Sequence, residues 1–279
     1  MENKLCLLAD RGVIKLAGAD TTAFLHRLIT NSVLNIGPGE SRFSALLSPQ
    51  GKLMFDFFVV PLPEGPEAGY FFDCVRDQGA ALTQRLNLHK MRAKIAIEDL
   101  SETLGVAAIL AGEAPAELEG VVYRDMRAEN MGQRVVAARD TLQRLGNTDE
   151  ADYEARRIAA GVPRGGVDFV YGDTFVHDAN LDWLNGVDFK KGCYVGQEVV
   201  ARVQFRKSAK KRIVKFSFEG EAPERGAEIA AGGAPLGQVG SVSDREGLAM
   251  VRLDRLDDAR ASGAIVKAGA TPIAVQAPA

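Results

Sequence analysis

The sequence predicts an α+β protein of more than one packed unit: an α/β region over 1–208, then a small antiparallel β-barrel over 209–279. Three observations carry that reading. The chain has 279 residues, beyond the ~250 at which single cores usually stop growing. Between Tyr70 and Ile97 a strand, a helix with Leu82 and Leu86 on one face and a returning strand from Met91 form a β-α-β unit. That unit suggests a ferredoxin-like half of a mixed sheet. From Ile213 onward Val214, Phe216 and Phe218 alternate with Lys215, Ser217 and Glu219, and turns follow at Gly232-Gly233, Gly237, Gly240 and Gly247. Short alternating strands with such turns are the pattern of a small barrel.

Composition narrows the class. With 46% hydrophobic residues and a formal charge of -3, neither disorder nor a general polyanion binder is expected. No apolar run approaches the ~20 residues a membrane helix requires. Met1-Glu2-Asn3-Lys4 lacks the basic-then-apolar layout of a signal peptide, so a cytoplasmic location is the expectation. Cys6, Cys74 and Cys193 are too scattered for a metal site. Cys6 and Cys74 sit in apolar runs and read as packed thiols.

In chain order, Val13–Leu16 reads as a strand and Asp20 as the N-cap of a helix whose buried stripe is Phe24, Leu25, Leu28 and Ile29. Thr30-Asn31-Ser32 closes that helix, with Asn31 as its cap or as part of a binding corner. Residues 44–61 form a hairpin around Ser48-Pro49-Gln50-Gly51, followed by a proline-rich turn from Pro61 to Pro66. Asp56, set among Phe55, Phe57 and Phe58, faces either solvent or a cavity where something pairs with it. Leu104–Leu110 and Arg134–Ala138 read as core strands without a functional signal. A helix over Thr148–Ala160 has Thr148 as its cap and Gly161 as its stop. Asn180 bridges a turn or reads a ligand edge, and Trp183 is a core residue or an aromatic lid.

Lys190 to Arg206 is the chemical centre. Gly192 and Gly196 allow sharp turns and close approach of another loop. Gln197 and Glu198 open a short helix just after Cys193. The helix dipole and the neighbouring Lys190 and Lys191 favour a thiolate, which makes Cys193 the candidate reactive group. The cations from Arg202 through Arg206, Lys207, Lys210 and Lys211 to Arg212 read as a solvated linker or as an anion attractor. Only Tyr194 and Phe205 flank them, too few for a stacking platform, which argues against nucleic acid.

Lys191-Gly192-Cys193-Tyr194-Val195-Gly196-Gln197-Glu198, with Ala201-Arg202 following, resembles the signature of the YgfZ family, folate-binding proteins of iron–sulfur cluster assembly and repair. That family is related to the T-protein of glycine cleavage, an aminomethyltransferase. The resemblance covers Val13 to about Val275. It implies a T-protein-like multidomain fold with a central cavity, and a tetrahydrofolate derivative as cofactor. Its partners would be iron–sulfur enzymes or cluster assembly proteins. Cys193 would be the reactive residue at the rim, and Asn31, Asp56, Asn180, Lys191, Tyr194, Gln197, Glu198 and Arg202 the candidate folate contacts. A tetrahydrofolate-dependent one-carbon transferase is the alternative. Phe55 stands where the T-protein has the first of two aspartates, and Ala159 where folate-using relatives carry a pterin-binding glutamate. A cysteine hydrolase would need a base near Cys193, and His177 has no triad setting.

Overall fold

The structure is a computed structural model that describes residues 3–63, 65, 68–206 and 209–276. Met1, Glu2, Pro66 and Lys207 of the readings above lie outside them. β1 (Lys4–Leu8) belongs to a later sheet, and β2 (Arg11–Ala17) opens the first. α1 (Thr21–Leu28), β3 (Arg42–Leu47), β4 (Leu53–Pro61), β5 (Gly69–Val75), α2 (Gly79–Lys90) and β6 (Ala96–Asp99) follow. The first sheet has the order β3-β4-β5-β2-β6. β5 and β6 both pair antiparallel with β2 and therefore run parallel to each other without touching, with α2 as the crossover. This is the split β-α-β arrangement of a ferredoxin-like unit.

Two expectations change here. The sheet is antiparallel at every pair rather than mixed, because β2 lies between the two parallel strands. The returning strand starts at Ala96 instead of Met91, which ends α2 with a φ of 49°. Asp20 does occupy the N-cap position of α1, but its carboxylate accepts the Lys94 backbone N–H at 2.7 Å and so ties the helix start to that return.

The second sheet, β1-β7-β9-β8, adds β7 (Leu104–Ala111), β8 (Gly120–Arg124) and β9 (Gln133–Ala138), with α3 (Arg139–Leu145) behind it. α4 (Glu150–Ala159) has Asp149 rather than Thr148 at its N-cap position, without a side-chain capping hydrogen bond. α5 (Gln197–Arg206) leads to the barrel. There β10 (Lys211–Phe218), β11 (Glu228–Ala231), β12 (Ala234–Ser243), β13 (Glu246–Arg252), β14 (Val266–Ala268) and β15 (Thr271–Val275) close in the order β10-β13-β12-β11-β14-β15. α6 (Leu253–Ser262), absent from the sequence reading, packs Leu256 and Ala259 onto the barrel core.

β4 is buried on both faces. Phe55, Phe57 and Val59 pack beneath α1 and α2, while Phe58 and Val60 face the middle of the molecule. Asp56 shares that inward face, so alternation places its carboxylate inside rather than in water.

In that middle two buried carboxylates meet three guanidinium groups. Asp73 on β5 accepts from Arg11 at 2.6 Å, from Arg134 on β9 at 2.7 Å and from the Tyr123 hydroxyl on β8 at 2.7 Å. Asp125 accepts from Arg127 and from Arg134, and both guanidinium groups also donate to the Tyr153 hydroxyl on α4. The lattice fastens one sheet to the other. Burial alone would raise Asp73 and Asp125, but Arg11 and Arg134 hold the first below its ordinary value, and Arg127 and Arg134 the second.

Removing one partner of such a pair strands a buried charge. Arg134→Met is therefore expected to cost ~3–5 kcal/mol in urea unfolding at pH 7. The depressed carboxyl values mean that the stabilisation is complete above the unfolded value of ~3.9 and fades as pH falls below it. The stability gap between the parent and Asp125→Asn should accordingly be widest near neutrality and narrow below about pH 4.

Candidate functional site

The segment between α4 and α5 contains no helix or strand, and its isolated bridges are Lys52 with Phe175 and Gly165 with Phe169. It is held against the end of α1 by side chains. Thr30 donates its hydroxyl to the Gly186 carbonyl at 2.7 Å. The Asn31 amide donates to Phe43 and Asn185 carbonyls while its oxygen accepts the Ser32 N–H. All of Asn31's polar atoms are thereby used in bracketing two loops, neither as a helix cap nor toward a hollow.

Lys191 completes the corner. Its ammonium donates to the Ile29 carbonyl at 2.6 Å and the Asn31 carbonyl at 2.9 Å, and it lies 5.3 Å from the centre of the buried Tyr194 ring. Burial pushes this amine down to about 8, against the pull of Asp188. Asp188 in turn accepts the backbone N–H groups of Lys190 and Lys191. The sequence set both lysine charges beside the sulfur, but Lys191 gives its donors to carbonyls because those loop oxygens would otherwise be buried unpaired.

Gly196 plays the part expected of it. With φ at 81°, a Cβ there would stand 2.7 Å from the Ser48 carbonyl oxygen, so the hairpin tip can press directly on the motif. From the other side Gly51, at φ 79°, leaves room for Val199 of α5. Between these fixed points Cys193 is exposed, whereas Cys6 and Cys74 are buried and their thiols are raised by burial to about 12. One thiol of three can be reached from solvent.

The remaining candidates are not gathered around a single cavity. Gln197 accepts the Tyr194 N–H within the helix start. Glu198 and Arg202 pair with each other at 2.8 Å on the exposed face of α5. Asp56 accepts the Tyr171 hydroxyl at 2.7 Å, and burial together with Asp56 holds that phenol well above its ordinary value. Ala159 is exposed, and its carbonyl takes the Lys215 ammonium.

Two hollows adjoin these residues. The central cleft is bounded by Arg11, Asp56, Arg127, Arg134 and Tyr153 and measures about 30 Å³, far below the ~300 Å³ at which small-molecule sites begin. Beside the arginine lattice this cleft is too small for a pterin. A second hollow of about 320 Å³ opens where α4, the loop and β10 meet, lined by Arg127, Asn180, Trp183, Leu184 and Lys215 among others. Asn180 stands there at φ 60° and donates its amide to the Ile213 carbonyl at 2.7 Å. Its side-chain oxygen is buried without a partner among the described residues.

Trp183, expected either in the core or as an aromatic lid, is 42% exposed and so not a core residue. Its ring lies under the Arg212 guanidinium at 3.8 Å, and Arg212 is bound at both ends to Asp182. The cationic run is thus divided, with Arg212 a buried anchor and Lys211 exposed. Sequence reasoning missed Tyr171, Asp125, Arg127 and Arg134. Only the charge of Arg134 inside an apolar strand signalled any of them. Among the described residues, no three His, Cys, Asp or Glu side chains gather into a metal site.

Lys191→Met would leave the Ile29 and Asn31 carbonyls without their donor. A loss of about 1–3 kcal/mol in chemical unfolding is expected, with faster thiol labelling of Cys193 as the corner loosens.

Residues 210–279 match the family described as the C-terminal beta-barrel domain of CAF17. The mouse iron–sulfur cluster assembly factor IBA57 is 30% identical over 278 residues, covering 89% of this chain and 77% of the relative. The IBA57 homologue of Coccidioides immitis (strain RS) is 34% identical over 233 residues, 74% of this chain and 55% of the relative. That of Mycosarcoma maydis is 30% identical over 230 residues, 77% and 57%. The chain spans about half the length of these fungal relatives. The crystal structure of the glycine cleavage aminomethyltransferase T from Bartonella henselae superimposes with a TM-score of 0.76 at 18% identity, over 99% of this chain and 85% of that one. This likeness establishes the T-protein-like fold. The cytoplasmic expectation is overturned, because all three sequence relatives are named as mitochondrial proteins. Among the described residues, no helix is long and apolar enough to cross a membrane. With nearly nine-tenths of its length aligned to the mouse protein, the chain belongs to the IBA57 family.

Proposed function

We propose that this chain supports iron–sulfur cluster assembly, the activity named for its relatives, and that Cys193 is its one ligand to a cluster held jointly with a partner protein. The observation that carries this reading is the exposed Cys193 on a corner fixed by Lys191, Asn31 and Gly196, with both other thiols sealed. On ligation the thiol releases its proton to solvent and a sulfur lone pair forms the bond to iron, with no change of redox state. Clusters of this kind usually take four thiolates. The partner would supply the others.

A folate cofactor of the YgfZ type is part of the proposal at a different place from the one the sequence suggested. A pterin does not fit the 30 Å³ central cleft, where the lattice arginines and carboxylates neutralise one another. The 320 Å³ junction hollow is within the ~300–1,000 Å³ of small-molecule sites. There the unpartnered Asn180 oxygen would accept a ring N–H, Trp183 would flank the ring, and Lys215 would attract the glutamate carboxylates. Bound tetrahydrofolate would supply reducing or one-carbon chemistry. The one-carbon transferase reading is disfavoured because Asp56 is engaged by Tyr171 and does not line this hollow.

In cells lacking the natural protein, Cys193→Ala is expected to leave iron–sulfur enzyme activities low while Cys6→Ala restores them. Full restoration by Cys193→Ala would remove the thiol from the mechanism. Trp183 is the single tryptophan, so its emission reports on the junction hollow. Tetrahydrofolate should quench it saturably, and Ala160→Phe, which fills the hollow, should abolish the effect. An unchanged emission at millimolar ligand would contradict the folate assignment.

A further inference from the structure

Beside the cysteine corner lies a groove of about 540 Å³ between α1 and the end of α2, with Val195 of the motif in its wall. Phe24, Leu28 and Met91 form its apolar part. Met91 is 87% exposed and Leu88, one turn back on α2, is 69% exposed. A side chain so apolar at a φ of 49° is placed where glycine would be unstrained, and within this chain that placement gains no burial.

Charge gives the second observation. Arg27, Lys90 and Arg92 line the groove, and among the described residues none of them makes an ion pair. The one lining carboxylate, Asp20, is engaged by the Lys94 N–H. The chain as a whole carries a charge of -3, so a cationic groove runs against its overall balance. Apolar contact ringed by unpaired cations is complementary to an acidic segment with an apolar face.

We infer that this groove docks an acidic, apolar-faced segment of the cluster-bearing partner, seating the partner's cluster beside Cys193. The inference rests on the reading of Cys193 given above and adds the surface and chemistry of the partner. Val195 is two residues from Cys193, so a segment that contacts Val195 holds its protein over the thiol. The apolar side chains provide the anchor. The cations select the partner and speed its approach.

The test uses the full chain in cells with a photo-crosslinking amino acid at Leu88 or at Met91, and at exposed Glu219 on the barrel as a control, the captured peptides being sequenced. Met91 in the groove and Leu88 at its margin should capture the same segment of an iron–sulfur protein, rich in Asp or Glu and apolar residues. Lys90→Glu combined with Arg92→Glu should lower capture by about tenfold, the scale of two reversed rim charges. Capture of a second copy of this chain, of a segment without acidic residues, or of nothing above the Glu219 control overturns the inference. Cys193→Ala separates the two claims, since it should retain the cross-link while iron–sulfur enzyme activity is lost. Retention of both would sink the thiol assignment and leave the docking surface standing. Loss of both would overturn the groove as an independent docking surface.

Discussion

A guanidinium group taken out of water must find carboxylate or carbonyl oxygens, and this fold meets that requirement by fastening its units together with arginine. Arg134, 2% exposed, joins β9 of one sheet to Asp73 on β5 of the other. Arg157 on α4 donates to Asp168 of the loop at 3.0 Å and to Ser241 on β12 of the barrel at 2.6 Å. Arg212 at the start of β10 returns to Asp182 and the His177 carbonyl. Each anchor crosses a boundary between units, so loss of one would be felt as lost docking as well as lost charge pairing.

The same anchors decide where chemistry can occur. The arginine lattice leaves only a cleft of about 30 Å³ in the middle, whereas a hollow of about 320 Å³ lies at the junction beside Asn180 and Trp183. Asp56, inward on β4, is consumed by Tyr171 and contributes to packing. The exposed thiol lies at the outer corner, where Lys191 and Asn31 hold the loop and Gly196 lets the hairpin tip approach. Cys193 stands at that corner with the groove of α1 and α2 on one side.

Short-range pattern carried much of this fold in the sequence. The alternation of Val214, Phe216 and Phe218 marked the barrel, the Ser48–Gly51 turn marked its hairpin, and the glycine spacing around Cys193 marked the corner. α6 escaped notice because Leu253, Leu256 and Ala259 are interleaved with five charged residues from Asp254 to Arg260. The buried ion pairs were invisible for another reason. Asp73 and Arg134 are 61 residues apart, and no local spacing tells an arginine that will be buried from one that will be solvated. Trp183 misled in the same way, since a large aromatic ring is usually buried and its cover here is Arg212, 29 residues on.

The proposed role in cluster assembly depends on Cys193 being the thiol that meets the cluster. Quantitative alkylation of the native protein, followed by mass mapping, addresses it directly when performed with and without a cluster-loaded iron–sulfur partner. Cys193 should be modified in the free protein and protected in the loaded complex, with Cys6 and Cys74 unmodified in both. Equal labelling of Cys193 in the two samples would contradict it.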